Sequence, residues 1–503
     1  MAAISTLPAD PFSKDRERRS GRSELIVALA VIAIITALRV LFIASSHLEL
    51  DFEEAQYWYW AQQPAWGYFS KPPLIAWLIG ATTWLFGDSE GAVRLASPLL
   101  HGAIALTILG IGRHTGDSRL GAWSAIAYAT MPGTSLSATL ITTDVPLLFF
   151  WATALYCLLR RRDGGGPIWS LVCGLAIGGG MLAKYAMAYF LPCTLIYLML
   201  DAAARRHFRA GDALIALAAT AACLAPNLAW NLAHGFATLR HTADNADLGG
   251  VALDLREIAN FLGSQFGLMG PVLFSLLVAG SFMKTAPDGV PGNHRFLVCF
   301  SLPIFVVILG EAVLSRAHAN WAAPAFASGI ILAVETGFRL RRGWRWLLPA
   351  AIAGHAAIGA VLCAALVLVP TFSLPGGRIV EVGARFSGWA ELGRTVAAAL
   401  RSEPGTTLLG EQRSLLAYLT YYARPVPGVI EWTYVGVIDD QFKLSAHLDP
   451  GAPGPFLLVA SNPTPAALGH FDSQGPAIEV TIRPAAGIER HFWMFRLRGF
   501  RGY

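Results

Sequence analysis

The chain has 503 residues, of which 54% are hydrophobic and only 14% are charged, and its mean hydropathy is +0.50. This composition lies outside the range of soluble globular proteins and indicates a polytopic membrane protein. The net charge of +5 comes from arginines and lysines that cluster between apolar segments, which is typical of topology signals and argues against a nucleic-acid partner.

The cysteines predict neither a disulfide framework nor a metal site. All six lie in apolar runs, and no two form a CxxC or metal-spaced pair. We interpret them as small core residues: Cys157, Cys173, Cys193, Cys223, Cys299 and Cys363.

The N-terminal region predicts the orientation of the chain. Residues 1–24 are polar and basic, and the apolar run over residues 25–45 is too long for the core of a signal peptide. We interpret residues 1–24 as a cytoplasmic tail and residues 25–45 as the first span. A first loop, residues 46–93, then lies on the external side.

The next apolar run, residues 74–86, is short, and no basic loop follows it. We expect it to form a juxtamembrane helix within the first loop, while residues 94–112 cross back. If residues 74–86 crossed instead, Arg160, Arg161 and Arg162 would lie outside, against the positive-inside rule.

Apolar length and basic loops together predict about eleven transmembrane helices within residues 25–370. The third covers residues 120–137, the fourth begins near Asp144, the fifth and sixth form a hairpin around Lys184, and the seventh ends near Pro226. The eighth follows residues 264–266, the ninth leads to Arg316, the tenth ends at Arg339, and the eleventh ends near Pro370.

Residues 371–503 differ in character, because Pro and Gly separate shorter segments of mixed charge. Helical periodicity over residues 386–401 and 411–422 predicts two helices. Strand patterns over residues 456–460, 477–482 and 491–497 predict a sheet. We expect a small α/β domain, placed outside the membrane by the odd number of spans.

The first loop carries the greatest concentration of chemistry. Asp51, Glu53 and Glu54 stand directly outside the first span, where carboxylates are costly unless solvated, paired or in use. In a helix over residues 53–60, Glu53, Tyr57 and Trp60 share one face while Glu54 points elsewhere. Asp51 also fits the role of helix N-cap, and both roles remain open.

The predicted topology gathers further charged residues at the external face. Lys71 precedes Pro72-Pro73, which stiffen the chain and suit an ammonium group to a phosphate oxygen, although a lysine at this depth also suits lipid headgroups. Asp144 fits an active-site acid or a helix N-terminus. Lys184 is a candidate phosphate ligand with the same alternative as Lys71. Arg316 and His318 are further candidates and also fit a plain polar turn between spans.

Aromatic residues of the first loop fit two roles. Tyr57, Trp60 and Tyr68 can stack on a sugar ring or join an interfacial aromatic belt. The chain contains no P-loop, GxGxxG, GxSxG or HExxH motif, which removes support for nucleotide hydrolysis, redox cofactors and zinc proteolysis.

Several motifs together resemble one family. They are the acidic pair Glu53-Glu54, the Tyr-x-x-Lys-Pro-Pro-Leu motif over residues 68–74, the Gly-Asp segment leading to Arg94, and the Thr-Asp-x-Pro motif at Asp144. In these motifs the chain resembles the GT-C membrane glycosyltransferases. The resemblance is to the branch that contains the lipid A aminoarabinose transferase and the protein O-mannosyltransferases. Residues 225–231, 265–271 and 318–321 also look like that branch.

The resemblance implies a polyprenyl-phosphate-linked sugar donor and an acceptor hydroxyl on a lipid, glycan or protein. It implies that a first-loop acid is the general base. The family usually has Asp-Glu where this chain has Glu53-Glu54, so the base is either Asp51 or Glu53. Ser70 stands where an acid often precedes the lysine, which weakens the case for a metal site; a divalent cation remains an option and no metal ligand is assigned.

We therefore predict an inverting glycosyltransferase of a bacterial inner membrane, with its active site and C-terminal domain in the periplasm. The predicted acceptor is a cell-envelope hydroxyl on lipopolysaccharide, lipid A or another glycan, in preference to a protein. Asp144 would orient the acceptor, while Lys71 and Lys184 would stabilise the departing phosphate. The alternative is a transporter or flippase of lipid-linked sugars, for which inverted repeats and broken helices near the midplane are typical. The predicted topology places the charged residues together at the external membrane face, which favours the enzyme over the transporter.

Overall fold

The computed structural model describes residues 11–246, 255–284, 290–315, 317–368, 384–432, 438–485 and 487–503. A large helical part is followed by a domain of mixed helices and strands. The N-terminal helix begins at Pro11 and runs unbroken to Ser45, so the described part of the predicted tail extends the first span.

Twenty-two α-helices lie within the described ranges. In the first half they are α1 (Pro11–Ser45), α2 (Phe52–Ala61), α3 (Leu74–Phe86), α4 (Glu90–Arg94), α5 (Ala96–Thr115), α6 (Ser118–Thr130), α7 (Pro132–Ser137), α8 (Asp144–Arg162), α9 (Ile168–Ala183), α10 (Phe190–Leu200) and α11 (Ala202–His207). They continue as α12 (Ala210–Ala233), α13 (Ala237–Ala246), α14 (Leu255–Met269), α15 (Pro271–Ser281), α16 (Pro291–Cys299), α17 (Leu302–Leu314), α18 (Phe326–Phe338), α19 (Leu347–Leu368), α20 (Trp389–Arg401), α21 (Arg413–Tyr422) and α22 (Gln441–Ser445). Short 3₁₀ helices cover Tyr185–Tyr189, Ala319–Ala325, Arg342–Trp344 and Ala466–His470.

Six helical segments of the described chain are long and apolar enough to cross a membrane, or seven if the bent pair α14–α15 is one span. Their outer faces leave large apolar side chains exposed, as on Leu38 and Leu217, which is expected of helices that face lipid. The protein is therefore a multi-pass helical membrane protein. The six are Gly21–Ser45, Glu90–Thr115, Ala210–Ala233, Gly292–Leu314, Ala319–Phe338 and Arg342–Leu366.

Three predicted spans are corrected by the structure. The third is broken at Met131, because Pro132 begins a new helix there. The seventh does not end at Pro226; α12 continues through it to Ala233, a break in hydrogen bonding that membrane helices tolerate.

The third correction concerns the eighth span, which we expected to follow residues 264–266 and to end at Lys284. Instead α14 and α15 meet at an angle of 109°. Gly270 forms the corner at φ +79°, and a Cβ atom there would lie 1.9 Å from His355 Nε2. Only glycine combines this backbone conformation with so close an approach.

The C-terminal domain is built on one sheet, with strands in the order β2-β1-β3-β6-β4 and β5 also paired to β6. β1 lies parallel to β2 and to β3, while β6 is antiparallel to β3, β4 and β5. Every residue of β3 is buried, as expected for a central strand. The strands are β1 (Thr407–Gly410), β2 (Val429–Glu431), β3 (Phe456–Ala460), β4 (Phe471–Gln474), β5 (Ile478–Ala485) and β6 (Ile488–Phe500).

This domain packs directly on the first loop. Trp58 of α2 meets Tyr421 of α21 edge to face at 5.0 Å, and Tyr59 stacks on Phe442 of α22 at the same centroid distance. Leu50 N–H also donates to the Tyr422 hydroxyl at 2.6 Å. Aromatic pairs and shared apolar burial therefore hold the loop and the domain together.

One buried carboxyl makes the stability of this domain depend on pH. Glu431 is 4% exposed, and burial, with the nearby Asp440 carboxylate, raises its pKa from 4.5 to about 8 against the opposing charge of Lys443. Since the folded chain holds this proton more tightly than the unfolded chain, the stability it contributes is present at low pH and is lost as pH rises towards about 8.

We therefore expect the thermal midpoint of the domain to fall between about pH 5 and about pH 8, and Glu431→Gln to flatten this dependence. Thermal unfolding followed by tryptophan fluorescence measures it. Glu391→Gln, at an exposed glutamate of α20, is the matched control. An unchanged pH dependence in Glu431→Gln would contradict the assignment.

Candidate active site

The helix α2 begins at a capping box formed by two of the three predicted acids. Asp51 Oδ1 accepts from the Glu53 N–H at 3.2 Å, and Glu54 Oε2 accepts from the Asp51 N–H at 2.9 Å. Asp51 Oδ2 lies 2.5 Å from Arg385 Nε. Burial raises the pKa of the Asp51 carboxyl above its ordinary value, and Arg385 offsets part of that effect.

Glu54 is fully engaged in a buried ion pair. Arg94 Nε donates to Glu54 Oε1 at 2.9 Å and Arg94 Nη2 donates to Oε2 at 2.7 Å. The Ile141 N–H also donates to Oε1 at 3.0 Å, and Arg94 bonds the carbonyls of Leu48 and Glu49 at 2.8 Å. The pair thus joins α2, α4 and the segment before α8.

Glu53 differs from its two neighbours. Its side chain is partly exposed, and within the described chain it has no hydrogen bond or ion pair. Its negative charge acts on Lys71 and on the hydroxyl of Tyr57. A carboxylate that is free of partners and beside a lysine is suited to accept a proton.

Asp144 stands at the first turn of α8 and holds two residues from other elements. Lys184 Nζ donates to Asp144 Oδ1 at 2.7 Å, and Asn320 Nδ2 donates to Oδ2 at 2.6 Å. Lys184 is the residue that ends α9, in extended conformation, and Asn320 lies in the 3₁₀ helix Ala319–Ala325. The Asp144 carboxylate therefore fixes the Lys184 ammonium group at the site.

Lys71 lies in a loop that hydrogen bonds hold at several points. The Tyr68 N–H donates to the Lys71 carbonyl at 3.1 Å, and the Phe69 N–H donates to Gln441 Oε1 at 2.7 Å. Burial lowers the pKa of the Lys71 ammonium, as do the charges of Lys184 and Arg413, against the opposing effects of Glu53 and Asp144. Its side chain donates no hydrogen bond to any described residue.

The aromatic candidates are packed against one another. Trp60 and Tyr68 stack at 4.6 Å with an interplanar angle of 6°, and Tyr57 lies 5.2 Å from Trp60. All three residues are 2% exposed or less. The Tyr68 hydroxyl donates to the Trp60 carbonyl at 3.0 Å, so the three aromatic residues form one buried cluster within the first loop. Burial and the charges of Glu53 and Asp144 raise the pKa of Tyr57.

Two further residues join the site, and nothing in their local sequence indicated it. Arg413 begins α21 of the C-terminal domain, and its charge acts on Lys71, Tyr57 and His241. His241 lies on α13, where its ring is 5.5 Å from Phe69. Burial lowers the pKa of His241, and the charges of Lys71 and Arg413 lower it further. The histidine is therefore neutral at pH 7.

Two candidate phosphate contacts remain, and one of them lies outside the described residues. His318 is exposed and meets Trp321 edge to face at 5.0 Å. Arg316 is not among the described residues. Among those residues no three His, Cys, Asp or Glu side chains are grouped to hold a metal ion, so no step is derived through one.

A model of the dolichyl-phosphate-mannose-protein mannosyltransferase family matches residues 70–230 of the chain. The lipid A galacturonosyltransferase RgtD of Rhizobium johnstonii is 34% identical over 443 residues, which cover 85% of this chain and 89% of the relative. The chain belongs to the GT-C membrane glycosyltransferases. The lipopolysaccharide core galacturonosyltransferase RgtB of the same organism is 27% identical over 450 residues, covering 82% of this chain and 83% of the relative.

The GT-C architecture is also seen in a solved structure. The crystal structure of ArnT from Cupriavidus metallidurans bound to undecaprenyl phosphate matches with a TM-score of 0.63, covering 93% of this chain and 97% of ArnT at 15% identity. At this identity the likeness shows the fold alone. The predicted family and the predicted enzyme class are confirmed, and the transporter alternative gains no support from the relatives.

Proposed function

We propose that this glycosyltransferase moves galacturonic acid from a polyprenyl-phosphate donor to a hydroxyl group of lipid A. The similarity to the lipid A galacturonosyltransferase, which extends over 85% of the chain, supports the sugar and the acceptor. The undecaprenyl phosphate bound to the structurally similar ArnT supports the class of donor. The main structural support for an active site here is the unpaired Glu53 carboxylate, which lies beside Lys71 and the Lys184–Asp144 pair.

In the proposed mechanism Glu53 accepts the proton of the acceptor hydroxyl. The hydroxyl oxygen forms a bond to the anomeric carbon while the bond from that carbon to the phosphate oxygen breaks. The polyprenyl phosphate leaves with the bonding electron pair, and its growing negative charge is stabilised by the ammonium groups of Lys71 and Lys184. A single displacement of this kind inverts the anomeric centre.

The other acids take supporting roles in this proposal. Asp51 is occupied by the N-cap and by Arg385, and Glu54 is occupied by Arg94, so neither is free to accept a proton. We therefore assign the base to Glu53. Asp144 holds Lys184 and Asn320 in place, and through Lys184 it orients the phosphate.

The remaining candidates are assigned by proximity. Tyr57 is only 1% exposed, so we assign it, together with the stacked Trp60 and Tyr68, to support of the site from within the first loop. Arg316 and His318 remain candidate contacts for the phosphate.

We also propose the orientation of the chain. Eleven spans within residues 25–370 place residues 1–24 in the cytoplasm and residues 371–503 in the periplasm of a bacterium with an inner membrane. The helical pieces of the structure allow this count if α6–α7, α14–α15 and α16–α17 each form one broken span. Cysteine labelling at Ser387 and at Arg206 from either side of the membrane tests it.

Transfer by the purified protein tests the proposed function. The protein in detergent is given lipid A and either polyprenyl-phosphate-linked galacturonic acid, galactose or aminoarabinose, and lipid A is weighed by mass spectrometry. We expect addition of galacturonic acid. Addition of aminoarabinose alone would overturn the proposed sugar. If the protein in vesicles moves intact donor across the membrane without sugar transfer, the assignment as a glycosyltransferase is overturned.

The pH profile tests Lys71. Because burial and neighbouring cations lower the pKa of its ammonium group, the charged form is lost earlier than usual as pH rises, and kcat/KM should fall on the alkaline side. Lys71→Arg keeps its charge, so the fall should move to higher pH even if the maximal rate is reduced. Profiles measured from about pH 6 to about pH 10 decide this; identical alkaline limbs would exclude Lys71 from donor binding.

A further inference from the structure

Two cationic side chains of the candidate site are not engaged by an ion pair or hydrogen bond of the described chain. Lys184 already has an ion-pair partner within the protein, Asp144. Lys71 and Arg413 remain, and in the described chain the side chains of both lack an ion-pair or hydrogen-bond partner. Burial is the largest cause of the lowered pKa of Lys71, and the charges of Lys184 and Arg413 lower it further against those of Glu53 and Asp144. An anionic ligand relieves the repulsion among the cations.

Arg413 reaches the site because the C-terminal domain packs on the first loop. It is the first residue of α21, and its guanidinium carbon lies 5.7 Å from the centre of the Phe52 ring. Arg385 lies over the same ring at 5.8 Å but is paired with Asp51. Of these two arginines, Arg413 is thus the one free to bind a ligand.

The proposed donor carries two separate anionic groups. A polyprenyl-phosphate sugar has one negative charge on its phosphodiester, and a uronic acid adds a second on the C6 carboxylate. One cationic group near the phosphate satisfies a neutral sugar, but a uronate needs another cation at the far side of the sugar. A guanidinium presents a planar pair of N–H donors that matches a carboxylate.

We propose that Arg413, contributed by the C-terminal domain, binds the carboxylate of the transferred sugar and selects uronic acids over neutral hexoses. Lys71 and Lys184 are then left for the phosphate. This assignment rests on the proposed function, because it takes a uronate as the donor sugar. It gives the C-terminal domain a direct part in substrate selection.

Competing donors test the assignment. Purified wild type, Arg413→Gln, Arg413→Lys and the exposed-arginine control Arg394→Gln are given polyprenyl-phosphate-galacturonate or polyprenyl-phosphate-galactose, which differ at C6. Binding is measured by ligand-induced thermal stabilisation, and transfer to lipid A by mass spectrometry. Thermal unfolding without ligand shows whether each variant is folded.

We expect Arg413→Gln to weaken binding and kcat/KM for the galacturonate donor by roughly 10- to 100-fold while values for the galactose donor stay nearly constant. Arg413→Lys should recover part of the loss, and Arg394→Gln should behave as wild type. Equal losses for both donors would overturn carboxylate recognition by Arg413, as would no loss for either.

The binding measurement tests carboxylate recognition by Arg413 independently of the proposed transfer activity. If wild type binds the galacturonate donor with an Arg413-dependent preference but transfers nothing to lipid A, the proposed acceptor or activity fails and the carboxylate site stands. If wild type shows no preference for galacturonate over galactose in binding, the Arg413 assignment is overturned whatever the transfer assay shows.

Discussion

Glu53→Gln is expected to lower kcat by roughly 10²- to 10⁴-fold, because the amide cannot accept the proton of the acceptor hydroxyl. Donor binding should persist or tighten, since the amide removes a negative charge beside Lys71 that opposes the donor phosphate. Steady-state transfer and thermal stabilisation by the donor measure the two quantities on one preparation.

The neighbouring acids supply matched controls. Asp51→Asn keeps an oxygen that can cap α2 and should retain most of kcat, with some loss of stability from the weakened Arg385 pair. If Asp51→Asn instead loses kcat as severely as Glu53→Gln, or if Glu53→Gln stays active, the base has been assigned to the wrong residue.

Arg94→Met is expected to destabilise the protein by about 3–5 kcal/mol, because it leaves the Glu54 carboxylate buried without its partner. The two residues are 1% and 2% exposed, and Arg94 also satisfies the carbonyls of Leu48 and Glu49. The loss should appear as a lower thermal midpoint in detergent, together with reduced transfer, since the pair anchors the helix that carries Glu53.

A double-mutant cycle shows whether the pair itself is responsible. Glu54→Leu combined with Arg94→Met removes both charges, so the double variant should be more stable than the sum of the single losses predicts. Additive losses would mean that the two residues stabilise the loop independently, and the ion pair would lose its central role.

Much of the helical architecture was predictable because the cause is local. The run of residues 74–86 forms the helix α3 with the predicted bounds, and residues 456–460 form the strand β3. Both follow from apolar length and pattern. The bend at Gly270 was not predictable, because it depends on His355, which is distant in sequence and packs against the corner.

The candidate site likewise combines features that the local sequence predicts with contacts that only the fold creates. The pattern Asp51-x-x-Glu54 is a capping-box signature, so the N-cap role of Asp51 was within reach of the sequence. The partner of Glu54 is 40 residues away, at Arg94, and only the fold brings the two together. That long-range pair is what separates the engaged Glu54 from the free Glu53.

Arg413 marks the limit of sequence reasoning in this chain. Its local pattern predicts only the start of an amphipathic helix in the C-terminal domain. Its place beside Lys71 and Tyr57 comes from the packing of α21 on α2, a contact between segments more than 350 residues apart. A domain predicted as a separate unit thus completes the charge of the site.

The most direct test of the account is a cryo-EM structure of Glu53→Gln with polyprenyl-phosphate-galacturonate and lipid A bound. We expect the donor phosphate between Lys71 and Lys184, the sugar carboxylate on Arg413, and an acceptor hydroxyl within hydrogen-bonding distance of Gln at position 53. A donor bound away from this cluster, or an acceptor hydroxyl facing Asp51 or Asp144 instead, would contradict it.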